Sequence, residues 1–133
     1  MPTDIASQIV YEDNHLIVLN KRAGQIVQGD RTGDVPLVDL IKQFIKERDA
    51  KPGNVFCGVV HRLDRPVSGL VLFAKTSKAL ARMNELVKQR DINKTYWAIT
   101  RQRPPQAAGH RRLMSLLWMR AILRMLSPGD LAS

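Results

Sequence analysis

The sequence predicts an α+β fold, a mixed and mainly antiparallel sheet with helices packed against it. Three observations predict it. Short apolar runs at 9–11, 15–20, 55–60 and 70–74 have the length and composition of strands, and two stretches near 36–47 and 77–87 carry apolar residues at helical spacing. The first two runs are separated only by Glu12, Asp13 and Asn14, a connection too short for anything but an antiparallel pair. The chain has 133 residues, enough for one domain with a modest core.

Each element follows from its residues. Asp13 and Asn14 side chains bond nearby backbone and tolerate left-handed conformations, so 12–14 reads as the turn of a β-hairpin. Lys21, Arg22, Ala23 and Gly24 form a loop, followed by a short extended piece at 25–28 and a polar, exposed stretch at 29–34. From Pro36, the residues Leu37, Leu40, Ile41, Phe44 and Ile45 recur on one helical face, with Lys42, Lys46 and Glu47 on the other and Asp34 near enough to cap. Residues 51–54 end that helix. The run 55–60, with three valines, and the run 70–74 read as buried strands joined by a polar loop at 61–69. Thr76 or Ser77 caps a helix whose apolar face is Leu80, Met83, Leu86 and Val87. Residues 93–100 alternate loosely around Tyr96 and Trp97 and suit a strand. Residues 103–109 resemble a linker, and no internal repeat is present.

Composition narrows the function class. With 44% hydrophobic and 25% charged residues the chain is an ordinary globular protein. A single cysteine, Cys57, rules out an internal disulfide framework and fits a reducing compartment. No basic segment leads into an apolar stretch near the start, and no apolar run reaches the roughly 18 residues of a membrane span, so a cytoplasmic location with no membrane partner is expected. The net charge of +9 points to a polyanion, with nucleic acid the commonest. That charge is unevenly placed. Residues 1–100 hold 15 basic and 11 acidic side chains, whereas 101–133 hold six arginines, no lysine and one aspartate.

The sharpest chemical feature is the run His61, Arg62, Leu63, Asp64, Arg65, Pro66, Val67, Ser68, Gly69 between two apolar strands. Arg62 and Arg65 flank Asp64, and their charge favours its ionised form. An ionised carboxylate on a rigid loop acts as nucleophile or general base. Pro66 and Gly69 fit a fixed turn that aims it. The same residues also fit a local ion pair on a solvated loop, worth little. His61 has a packing alternative, as a loop histidine that holds the turn. His15, His61, His110 and Cys57 show no metal-ligand spacing.

The motif His-Arg-Leu-Asp followed by Ser-Gly resembles the signature loop of RluA-type RNA pseudouridine synthases. Residues 11–21 resemble the start of that family's catalytic domain, residues 70–80 its strand and helix after the signature loop, and residues 94–99 its second motif, the one that supplies a tyrosine. The resemblance covers about residues 9–100. It implies isomerisation of uridine to pseudouridine in structured RNA, ribosomal or transfer, with Asp64 as the catalytic carboxylate. It implies that Tyr96 stacks on the uracil and that Arg62 fills the gap left by the extruded base, with Arg65 and His61 also lining the substrate side. Base extrusion is needed because a stacked uridine hides the bonds that change. No cofactor and no metal are implied.

The chain departs from the family pattern in two places. Arg22 stands where proline is common. After Thr100 nothing resembles the later Thr-Gly-Arg and His-Gln-Ile-Arg stretch, which supplies an arginine to the catalytic aspartate. Residues 1–100 therefore read as a partial catalytic domain and 101–133 as a divergent basic tail, of the composition an out-of-frame or rearranged gene end would have. The competing reading of the tail is a genuine helix over 113–126 carrying Arg120 and Arg124. Two other functions compete with the enzyme: a truncated, inactive remnant that retains at most RNA binding, and a basic module whose tail holds a polyanion.

Overall fold

The computed structural model of the chain describes residues 4–97, 110–112 and 120–122. Its contacts divide into two units, Met1–Asp91 and Ile92–Ser133.

The first unit is an antiparallel sheet with helices. In chain order it comprises α1 (Ile5–Gln8), β1 (Ile9–Glu12), β2 (Leu16–Lys21), α2 (Leu37–Arg48), β3 (Gly58–Val59), β4 (Gly69–Ala74) and α3 (Ser77–Lys88). The strand order is β1-β2-β4-β3, and every neighbouring pair is antiparallel. The α+β reading therefore holds. The expected hairpin is β1–β2, with Asp13 Oδ1 accepting from the backbone N–H groups of His15 and Leu16, both at 2.7 Å. Those bonds, and one from the Tyr11 hydroxyl, hold the Asp13 carboxyl down at about 2.

The strand period of two puts Ile17, Leu19 and Lys21 on one face of β2, opposite Phe73, Val71 and Gly69 of β4. All of these except Gly69 are fully buried. The stripe Leu37, Ile41 and Ile45 of α2 supplies three more fully buried side chains. On the other face, Leu16, Leu72 and Ala74 pack with Val60 against Ala79, Leu80, Met83 and Val87 of α3. Thr76 caps that helix, its Oγ1 accepting from the N–H of Ala79 at 3.1 Å. Gly58 lets α3 approach β3, since a Cβ there would lie 2.7 Å from Leu80 Cδ2.

Several expectations are corrected. The strand over 55–60 shrinks to Gly58–Val59, because only these two residues pair with β4. The piece at 25–28 joins no sheet; the carbonyls of Ile26 and Val27 instead accept from the first N–H groups of α2, Leu37 at 2.8 Å and Val38 at 3.2 Å. Those carbonyls do the work expected of Asp34, which makes no cap bond. Leu86 is 38% exposed, at the margin of its helix face. Helix α1, too short to show a period, was not anticipated. Its Gln8 is buried and exchanges amide hydrogen bonds with Gln25, at 2.6 and 3.1 Å, tying the 22–25 loop to α1.

In the second unit, residues 92–97 form no strand. The rest of the expected strand at 98–100 and the linker at 103–109 lie outside the described residues. β5 (His110–Arg112) pairs antiparallel with β6 (Arg120–Ile122). That pairing overturns the helix reading of the tail at 120–122.

Candidate active site

The 61–68 loop connects β3 to β4 and carries four of the five candidate residues. It is held from beneath by Lys21. The side chain of Lys21 ends a strand face that begins with Ile17 and Leu19, so the sheet buries it to 1% exposure. Its Nζ donates to the carbonyls of Val67 at 2.5 Å, Arg65 at 3.0 Å, Asp64 at 3.1 Å and Arg22 at 3.2 Å. A neutral amine would turn a lone pair toward this ring of oxygens, so the geometry requires the ammonium. Burial, with the nearby Arg65 charge, pushes the Lys21 pKa below its ordinary value, while the Asp64 charge acts the other way. The four carbonyls offset the cost of burying the charge.

The loop is closed within itself by the N–H of Val67 donating to the Asp64 carbonyl at 2.9 Å. Leu63 is buried beside Gly69, which takes φ +142° at the return into β4. The Asp64 backbone is thus fixed on both sides. Its side chain is exposed, and the carboxylate has no hydrogen bond or ion pair among the described residues.

Arg65 does not pair with Asp64, which corrects the expectation of a carboxylate flanked by two charge partners. Its guanidinium donates to Asp34 Oδ2 at 2.9 Å, Thr32 Oγ1 at 3.0 Å, Asp30 Oδ2 at 3.1 Å and the Gly24 carbonyl at 3.1 Å. Two carboxylates on the 29–34 loop, one at each Nη, take the guanidinium in place of the single one next door in sequence. These bonds, that to Asp30 foremost, raise the Arg65 pKa further. The Gly24 N–H returns a bond to the Arg65 carbonyl at 2.7 Å. Gly24 holds φ +96° to do so.

His61 accepts at Nε2 from the N–H of Leu72 at 3.1 Å. The imidazole takes the place of a strand carbonyl just past the point where β3 stops, which matches the packing alternative for this residue. Arg62 is exposed, with no hydrogen bond or ion pair among the described residues. Tyr96 belongs to the second unit. It is half-buried, and burial raises its hydroxyl pKa.

The family model for RNA pseudouridylate synthase matches residues 15–115. The chain belongs to the RNA pseudouridylate synthase family. That match takes in the whole signature loop and runs beyond the change in composition at residue 101. Among curated relatives, ribosomal large subunit pseudouridine synthase C of Escherichia coli K12 is 35% identical over 97 residues, 73% of this chain and 28% of that protein. Synthase D of Yersinia pestis is 35% identical over 99 residues, 74% of this chain and 30% of that protein. A solved structure of human RNA pseudouridylate synthase domain containing 4 superposes with a TM-score of 0.70 at 27% identity, covering 80% of this chain and 39% of that one. The chain spans under a third of the length of these curated relatives.

Within the family frame, Lys21 is the site residue that sequence reasoning missed. A signal was present: the alternation Ile17, Leu19, Lys21 places a lysine at an inward position of a strand, where a charge needs a reason. The partners of Arg65 left no such trace, since Asp30 and Asp34 lie 35 and 31 positions away. No helix among the described residues is long and apolar enough to cross a membrane.

Proposed function

We propose that the chain isomerises uridine to pseudouridine in ribosomal RNA, with Asp64 as the catalytic carboxylate. The observation that carries this is an exposed acid, without a hydrogen bond or ion pair among the described residues, on a backbone clamped by Lys21 and by its own turn. A carboxylate on a held backbone, with no described residue bonded to it, is ready to engage a nucleotide. In the reaction the N1–C1′ bond breaks and a C5–C1′ bond forms; the C5 proton leaves and N1 gains one. Asp64 either attacks the sugar at C1′ or removes a ribose proton.

The target base must leave its stack to reach the loop. Arg62, exposed beside Asp64, is the group to fill the vacated space. Tyr96 is the stacking partner for uracil that the family resemblance implies, and its hydroxyl is the group there for proton movement. His61 acts from behind the loop, through its bond to Leu72. The curated relatives are named for the ribosomal large subunit, which supports ribosomal over transfer RNA as substrate and a cytoplasmic location. The isomerisation asks for no metal and no cofactor. Residues 1–100 act as the part of the catalytic domain that bears the aspartate, with 101–133 a divergent basic tail.

A second reading, RNA binding without chemistry, is favoured by the net charge of +9, which suits a polyanion whether or not turnover follows. Tritium release from RNA labelled at uridine C5 separates the two. The enzyme reading expects release that Asp64→Asn abolishes; equal release from both proteins sinks it.

A further inference from the structure

We propose that Arg65 is a positioning residue that locks the Asp64 loop to the 29–34 loop, rather than a contact for the RNA phosphates. The proposal rests on the reading of Asp64 as the catalytic group, but its geometry is independent of that chemistry. A basic residue next to the reactive acid of an RNA enzyme invites a phosphate-binding role. Four of its five donors, however, are already taken. Both Nη atoms of Arg65 are doubly engaged, Nη1 by Gly24 O and Asp34 and Nη2 by Asp30 and Thr32. A phosphate arriving there would have to displace two carboxylates and would meet their negative charge.

Around these bonds the rest of a joint is built. Asp30 also accepts from the Thr32 N–H at 2.9 Å and from the Thr32 hydroxyl, and those bonds, with Arg65, hold its pKa below the ordinary carboxylate value. The acidic loop is therefore shaped before Arg65 enters it. The backbone of Arg65 is held as well, its carbonyl taking bonds from Gly24 N–H at 2.7 Å and Lys21 Nζ at 3.0 Å. A lone exposed ion pair would count for little. Here one planar guanidinium closes four bonds onto two segments that no strand connects, and the residue before it is Asp64. Lys21 fixes the loop from the buried side, and Arg65 fixes it from the exposed side.

The test compares Arg65→Ala, Arg65→Lys and the pair Asp30→Asn with Asp34→Asn in the full chain. Amide hydrogen exchange is read at Gly24 and Val67, whose N–H groups bond Arg65 O and Asp64 O, and at the strand amides of β4 as a control. Arg65→Ala and the double acid variant are both expected to speed exchange at the two loop amides by about tenfold, leaving β4 unchanged. Arg65→Lys recovers only part of the protection, because an ammonium cannot span the fork. Affinity for a structured ribosomal RNA fragment stays within about twofold for the double acid variant and for Arg65→Ala alike. Unchanged exchange at Gly24 and Val67 overturns the proposal. So does a loss of RNA affinity confined to the Arg65 variants, with the acid variants binding as well as or better than the parent. Because exchange is read without turnover, a chain whose Asp64→Asn variant behaves like the parent in tritium release sinks the catalytic reading and leaves this result standing on its own.

Discussion

The ammonium of Lys21 lies 3.1 Å from the backbone carbonyl of Asp64, while the carboxylate of the same residue stands exposed. One residue is thus held by its main chain and presented by its side chain. The arrangement separates the cost of ordering the loop from the chemistry of the acid, since the charge that does the holding is spent on carbonyls.

Replacing Lys21 with Met keeps most of the side-chain volume and removes the donors. Carbonyls of Arg22, Asp64, Arg65 and Val67 then lose a partner together. A loss of roughly 3–5 kcal/mol in urea unfolding is expected, since buried acceptors left without donors bear their full desolvation cost. A loss below about 1 kcal/mol would mean that water replaces the ammonium without penalty.

Asp64→Asn is expected to leave stability within about 0.5 kcal/mol of the parent, because an exposed side chain with no partner among the described residues contributes little to the fold. Thermal melts check this. A large destabilisation would reveal a structural carboxylate and undercut the tritium-release comparison.

Acid should loosen the far end of the sheet first. Glu12, at the end of β1, takes a forked pair from Arg48 of α2 at 2.5 and 2.8 Å and a bond from Lys75 at 2.5 Å. The Arg48 bonds, helped by Lys75 and opposed by partial burial, lower its pKa from 4.5 to about 2. A carboxyl whose folded pKa is depressed stabilises the fold above its unfolded value and loses that contribution as pH falls. The window here runs from about 4.5 down to about 2. Unfolding followed across that range should show a decline that is smaller in Glu12→Gln, which starts less stable at neutral pH.

Gly69→Ala is expected to cost about 1–3 kcal/mol. The added Cβ meets only Leu63 Cδ1, at 3.5 Å, so space is not the problem. The backbone is, since φ +142° at the entry to β4 is a conformation that L side chains rarely adopt. Urea titration measures the loss; a neutral result would mean that the loop re-enters the strand by another path.

Much of the fold was legible because it is written in local periods. Two short apolar runs around the turn residues Asp13 and Asn14 gave the β1–β2 hairpin, helical spacing gave α2 and α3 within a residue or two, and Thr76 was one of two caps that side-chain chemistry marked. The misreadings share one cause. Residues 55–57 look like strand but pair with no strand among the described residues, and Asp34 looks like a cap but finds Arg65. Propensity describes what a segment can do, and partners decide what it does.

By itself, then, the sequence determined the α+β class, the faces of its elements and the loop bearing Asp64, since these depend on neighbours a few positions apart. Tertiary structure alone decided that Lys21 would hold that loop from 43 to 46 residues away and that Arg65 would turn to Asp30 and Asp34. The physical reason is the sheet order β1-β2-β4-β3, which sets the end of β2 beside the start of β4. A buried ammonium and a planar guanidinium then take the acceptors that this packing brings within reach, and no local pattern names them.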